Sequence, residues 1–145
     1  MIRDAIQFTP QGPAGIIALY LTPGSPMGYV FVNEFVVDFV LGCTIWACLD
    51  PTNMLIVPAA VPWVIGLAYA LAVWGFSPVG LAANSARDVG GRLMALTIWG
   101  NKANGGSYAA LAALTNIPAT LLGAIFYEFF LADSARGGSF IPMRL

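Results

Sequence analysis

Residues 83–100 constrain this chain more than any other stretch. They lie between two long apolar segments and read as a short helix beginning at Asn84, with Arg87, Asp88 and Arg92 near its front. A helix over residues 85–98, at 1.5 Å per residue, covers only about 21 Å, whereas the hydrocarbon core of a bilayer is about 30 Å thick. A helix this short, with this much charge at its start, is not an ordinary membrane span. It can be half of one, entering from one side and ending near the middle. Interrupted helices at that depth occur where they are buried in protein or line a watery cavity. The stretch therefore points to a pathway through a membrane.

Composition agrees. Of 145 residues, 59% are hydrophobic and 9% charged, against about 25% charged in a soluble domain. The chain reads as an integral membrane protein, with the lipid bilayer as its first partner, in the plasma membrane or an internal one. The net charge of -1 and the lack of a basic run argue against a nucleic-acid partner. Histidine is absent, so neither a His-based metal site nor a Ser-His-Asp triad can be built within the chain. No activated nucleophile or phosphate loop is visible either, and neither an enzyme nor a cofactor is expected. Cys43 and Cys48 are five apart on a helix and read as buried thiols rather than a disulfide or metal pair. The first residues lack the apolar run of a secretory signal.

In chain order, residues 1–28 read as a loop, broken by Pro10, Pro13, Pro23 and Pro26. Its apolar piece, residues 15–21, is too short to span and is expected to lie against the rest of the protein. Residues 29–49 form the first span. Glu34 and Asp38 interrupt it four residues apart and so share one face, which ionisable groups at membrane depth turn inward. Two readings are open for Glu34: a place near the headgroups, or an acceptor for unpaired N–H groups in the irregular stretch before Asn84. Asp38 needs a proton or a partner on another helix. Asp50-Pro51-Thr52-Asn53 is a tight turn. Residues 54–76 form a second span without charge, expected to kink at Pro58 and Pro62.

Residues 77–83 then dip in and the half-helix over 85–98 leads back out, with an outside turn at 100–106. Residues 107–131 form the third span, with Pro118 in its middle and Glu128 near its end. Small residues such as Gly66, Ala112, Ala119 and Gly123 suit close helix approach, and Gly90 and Gly91 are expected to pack against a neighbouring helix. Residues 133–145 form a tail; Arg136 and Arg144, set against Lys102, favour a cytoplasmic carboxyl terminus by one charge. The fold class is thus an all-α membrane protein with three spans and one re-entrant half-helix.

The chemistry of that half-helix follows from its first turn. Asn84 is a favoured N-cap, whose side-chain oxygen accepts from a first-turn N–H and leaves its amide NH2 rigidly presented. The helix amino terminus adds roughly half a positive charge, and Arg87 adds a full charge and several donors. Donors and positive potential suit a passing hydroxyl oxygen and repel cations and protons. Asp88 fits the macrodipole and is placed to pair with Arg92 four residues on. The competing reading of Arg87 is a surface arginine that snorkels to lipid phosphates.

NSARD followed by GGR and Trp-Gly resembles the second signature of the aquaporin (major intrinsic protein) family, whose usual form is Asn-Pro-Ala-Arg with Gly-Pro-Arg. GIIALYLTP, NEF, DPTN and GLAYALAVWGFSP resemble further stretches of that family in the right order, and the variant looks most like its divergent fungal members, near the X-intrinsic group. The resemblance implies the second of two inverted repeats, so that the chain alone lacks the first repeat and is expected to be a fragment of a six-span channel. It implies a pore set of Asn84, Ser85, Ala86 and Arg87, with Leu81 and Val73 at the constriction, Glu34 bracing the loop, and Asp88 and Arg92 supporting the half-helix. Ser85 stands where the family usually has proline, Asp38 where a small or apolar residue is usual, and the interval from Pro78 to Asn84 is one residue shorter than usual. Asp88 directly after Arg87 resembles glycerol-conducting members. The implied function is passive passage of water and small neutral solutes such as glycerol, by a homotetramer in full-length form. A proton-coupled transporter using Glu34 or Asp38, or a non-conducting membrane fragment, are the alternatives.

Overall fold

The computed structural model describes residues 6–132, and their regular structure is entirely helical. The tail expected over 133–145, with Arg136 and Arg144, lies outside the described residues. Three runs are long and apolar enough to cross a membrane: Met27–Leu49, Pro58–Val79 and Gly106–Phe130, of 23, 22 and 25 residues, with mean hydropathy of 1.6 to 1.7.

The first, α1 (Met27–Leu49), starts after Pro26 and stops at Asp50, whose backbone is extended (ψ 111°) because it precedes Pro51. The turn is closed by its own side chains. Asp50 Oδ1 accepts from the Thr52 amide and hydroxyl, both at 2.7 Å, and the Asn53 amide donates to the Ala47 carbonyl left open at the helix end. The second run departs from the expected 54–76. It opens with a 3-10 turn at Pro58–Ala60 and continues as α2 (Val61–Phe76), followed by another 3-10 turn at Ser77–Val79. Pro58 and Pro62 therefore start this helix instead of kinking it. A first-turn N–H has no helical partner to lose, whereas Val57, ahead of a proline, is held extended (ψ 145°).

The half-helix is α3 (Ser85–Trp99), ended by Gly100 at φ 63°, a left-handed value that suits glycine. The third run is broken in two, α4 (Gly106–Leu114) and α5 (Asn116–Phe130). Pro118 has no N–H to offer the carbonyl four residues back, at Leu114, where α4 ends. The break places Asn116 at the middle of the span.

Helices α1 and α5 run parallel and in close contact. Gly42 faces the Thr120 backbone, Gly123 faces the Phe39 carbonyl, and the Cys43 thiol donates to the Gly123 carbonyl at 3.2 Å. Phe39 meets Phe126 edge-on with centroids 5.4 Å apart. At the carboxyl ends of both helices, the Tyr127 hydroxyl donates to Asp50 and the Trp46 indole to Glu128, each at 2.7 Å. Val37 and Leu41 of α1 pack with Ala72 of α2 and with Leu81. The outer faces remain apolar and exposed, as at Trp63, Trp74, Leu67 and Phe129, which suits contact with hydrocarbon.

The route of α3 is fixed by what touches its two ends. Ser85, its first residue, meets Ala113 and Asn116, about 15 Å along the third run at 1.5 Å per residue. Trp99, its last, packs with Phe8 and the Ala103 cluster beside the start of that run. The chain thus enters to mid-depth as irregular backbone and returns as helix. The expected packing of Gly90 and Gly91 on a neighbouring helix is not what they do: Gly91 lies against the Ile17 carbonyl in the amino-terminal segment, and Gly90 faces open space.

A side chain at Gly123 must displace the α1 backbone. Gly123→Val is expected to destabilise the chain by about 1–3 kcal/mol in thermal unfolding in detergent, the usual cost of overpacking. Gly90→Ala, in open space, is expected to be neutral or stabilising by up to about 1 kcal/mol.

Candidate functional site

The site is built where irregular backbone meets the tip of α3. Between Gly80 and Asn84 the chain cannot use helical hydrogen bonds, so its polar groups need other partners. Two consecutive residues of α1 supply them. The Asn33 amide donates to the Phe76 carbonyl at 3.2 Å and to the Gly80 carbonyl at 3.0 Å. The Glu34 carboxylate accepts from the Ala82 N–H through both oxygens, at 3.0 and 2.8 Å, and from the Ala83 N–H at 2.6 Å. Glu34 is fully buried, and its acceptor role is the one of the two readings for which the structure supplies partners. Hydrogen bonds to a charged group contribute roughly 1.5–3 kcal/mol each. They offset the strain at Ala83, a non-glycine residue at φ 53°, where an L side chain crowds its own backbone.

Asn84 follows with extended backbone, and its side-chain oxygen accepts from the Arg87 N–H at 2.9 Å. That bond fixes which end of the amide is oxygen and turns the NH2 outward, where it has no partner among the described residues. Arg87 is exposed and folds back over the loop, its Nη1 donating to the Ala82 carbonyl at 3.1 Å. Its guanidinium is thereby held against the loop instead of extending freely. Ala83, Asn84, Ser85 and Ala86 line an open groove of about 290 Å³, completed by Tyr69, Asn116, Ile117 and Thr120.

Ser85 tethers the tip to the break in the third span. Its Oγ lies in hydrogen-bond range of the Ala113 carbonyl and of the Asn116 amide. One hydroxyl proton serves one acceptor. The pair is satisfied when Ser85 donates to Ala113 and the Asn116 amide, turned NH2-inward, donates to Ser85. A proline at this position could make neither bond.

Leu81 and Val73 are placed differently from one another. Leu81 is buried against Val37, Leu41 and Ala72, while Val73 is 50% exposed. Among the described residues, then, the Leu81 side chain packs inward and Val73 is the more open of the two.

Further along α3, Asp88 and Arg92 form a buried ion pair at 2.7 Å. The Arg92 Nη2 also donates to the Leu19 carbonyl at 2.7 Å, and its guanidinium lies 5.2 Å over the Tyr20 ring. The Tyr20 hydroxyl donates to the Ala103 carbonyl at 3.0 Å; burial pushes this phenol above its ordinary range, so the donor keeps its proton. The pair thus binds the half-helix to the amino-terminal segment. Asn33, Asn116 and Tyr20 received no role in the sequence reading. Asn33 and Asn116 are polar residues inside apolar runs, which is the signal available, but what they hold lies 31 to 47 residues away, and only the fold brings it near. Among the described residues, no cluster of His, Cys, Asp and Glu could hold a metal ion.

Comparison with known proteins places this geometry in a family. The profile of the major intrinsic protein family matches residues 6–128. Aquaporin-3 of the fungus Laccaria bicolor is 56% identical over 136 residues, which is 93% of this chain and 41% of that protein. Another aquaporin of the same fungus is 55% identical over 135 residues, 92% of this chain and 44% of its own length. The chain spans less than half the length of these curated relatives. A match over most of its residues, centred on a capped half-helix between apolar spans, means that this chain belongs to the major intrinsic protein family.

Proposed function

We propose that this chain forms one half of the wall of a passive channel for water and small neutral solutes such as glycerol. One observation carries the reading: a 15-residue helix starts beside Ala113 and Asn116 of the third run, its amino terminus capped by Asn84, whose NH2 is left free among the described residues, and its Arg87 side chain folded back onto the Ala82 carbonyl. A hydroxyl oxygen passing this tip meets donors. A cation or hydronium meets the positive end of the helix and a full positive charge. The Asp88 charge is withdrawn from the tip by its pairing with Arg92. Pore-lining roles go to Asn84, Ser85, Ala86 and Arg87, with Val73 and Leu81 at the constriction; Glu34 braces the loop, and Asp88 and Arg92 hold the half-helix. In a channel of the relatives' full length, the exposed groove and apolar faces meet the remaining half, and four copies assemble. Residues 1–28 lie on the outer side and the carboxyl terminus on the cytoplasmic side.

The test is solute flux into vesicles carrying this chain within a channel of the relatives' length. Water and glycerol flux is expected to be independent of any proton gradient; flux that requires one would overturn the passive reading. Arg87→Val is expected to admit larger solutes and raise proton leak, both read in the same vesicles by swelling and by a trapped pH dye. Unchanged selectivity would remove Arg87 from the barrier.

Two further variants separate the cap from the donor. Asn84→Ala loses both and is expected to cost about 1 kcal/mol of stability. Asn84→Ser keeps a capping oxygen but has no NH2. It is expected to unfold like the parent chain and conduct like the alanine variant; conduction at the parent level would show that the amide is a cap alone.

A further inference from the structure

Asp38 takes no part in the site as described, yet it is only 1% exposed in the interior of a membrane-spanning helix. It lies one helical turn beyond Glu34, on the same face, with its carboxyl within hydrogen-bonding reach of that of Glu34. Its Oδ2 is buried and accepts from no donor among the described residues. Neither carboxyl has a lysine or arginine partner among the described residues; Arg92 is committed to Asp88. From the neighbouring elements, the ionisable groups that reach the pair electrostatically are Tyr69 of α2, Asp88 of α3 and Tyr108 of α4. None of them supplies a positive charge.

Two carboxylates cannot share such a place with both ionised, since neither charge is offset and the interior screens their repulsion poorly. A hydrogen bond between two carboxyls requires a proton on one of them. The geometry decides which. Both Glu34 oxygens already accept backbone N–H groups from Ala82 and Ala83, an arrangement that favours the anion at Glu34. Asp38 accepts from no such donor.

We propose that Asp38 is a positioning residue: a neutral carboxylic acid that donates its proton in a hydrogen bond to the Glu34 carboxylate and holds it against the Ala82 and Ala83 N–H groups. Glu34 then receives donors from two directions, the loop and its own helix. Its side chain is fixed in the one conformation that presents both oxygens to the irregular backbone. The placement of the α3 tip, and with it Asn84 and Arg87, depends on a proton carried one turn away.

The test uses this chain reconstituted in lipid bilayers, and two readouts. Infrared spectra at neutral pH are expected to contain the carbonyl band of an un-ionised carboxylic acid. That band should move on carbon-13 labelling of aspartate and vanish in Asp38→Asn. Absence of the band, or its movement on labelling of glutamate instead, would overturn the assignment. Amide hydrogen exchange at Ala82 and Ala83 is the second readout. Asp38→Asn retains an N–H donor and is expected to keep both amides protected. Asp38→Leu retains none and is expected to raise their exchange at least tenfold. Equal protection in all three chains would show that Asp38 does not position Glu34. Should the leucine variant fail to insert, the infrared assignment in the parent chain and in Asp38→Asn decides the matter.

Discussion

A buried carboxylate holding two backbone N–H groups decides where the half-helix begins. Irregular backbone at membrane depth is tolerated only when its donors and acceptors are met by protein, and α1 meets them with two adjacent side chains of opposite character. Asn33 donates to the carbonyls of Phe76 and Gly80, and Glu34 accepts from the N–H groups of Ala82 and Ala83. Removing either end of this clamp would leave unpaired polar groups where water cannot replace the partner. The left-handed backbone of Ala83, the extended Asn84 and the first turn of α3 all follow from where that clamp holds the chain.

The tip of α3 is then tied in three directions. Ser85 reaches the break in the third span, Arg87 folds back to the Ala82 carbonyl, and Asp88 with Arg92 binds the helix body to Leu19 and Tyr20. The break follows from Pro118, which leaves the Leu114 carbonyl without an N–H partner, and Asn116 lies just past it. Close approach of α1 and α5 through Gly42 and Gly123 keeps the Glu34 side of α1 and the Asn116 side of the third span within reach of the same loop. The site is therefore a property of packing as much as of its motif, since each of its side chains is oriented by a residue far away in sequence.

Much of this was legible in the residues. Length and hydropathy bound the spans, because only apolar runs of about 20 residues cross hydrocarbon. The shortness and charge of residues 85–98 marked the half-helix, and Asn84 marked its start, because capping is decided within one turn. Glu34 could be read as an acceptor, since a buried acid beside an irregular stretch has few other partners. Less legible were Pro58 and Pro62, which initiate α2 instead of kinking it, and Gly91, which meets a loop carbonyl instead of a helix. A proline or glycine states what backbone it permits, not what lies next to it.

The sequence by itself determined the number of spans, the place and length of the half-helix, its cap, and the Asp88–Arg92 pairing, because each of these is set by residues within one or two helical turns. Only the tertiary structure decided that Asn33 and Glu34 clamp the loop from both ends, that Asn116 meets Ser85, that Leu81 turns inward, and that Asp38 lies by another carboxyl of its own helix with no cation paired to it among the described residues. The hydrogen bonds among these join residues 31 to 49 apart, and the surroundings of Asp38 are what the other helices present to it. Neither is fixed until the apolar faces have packed.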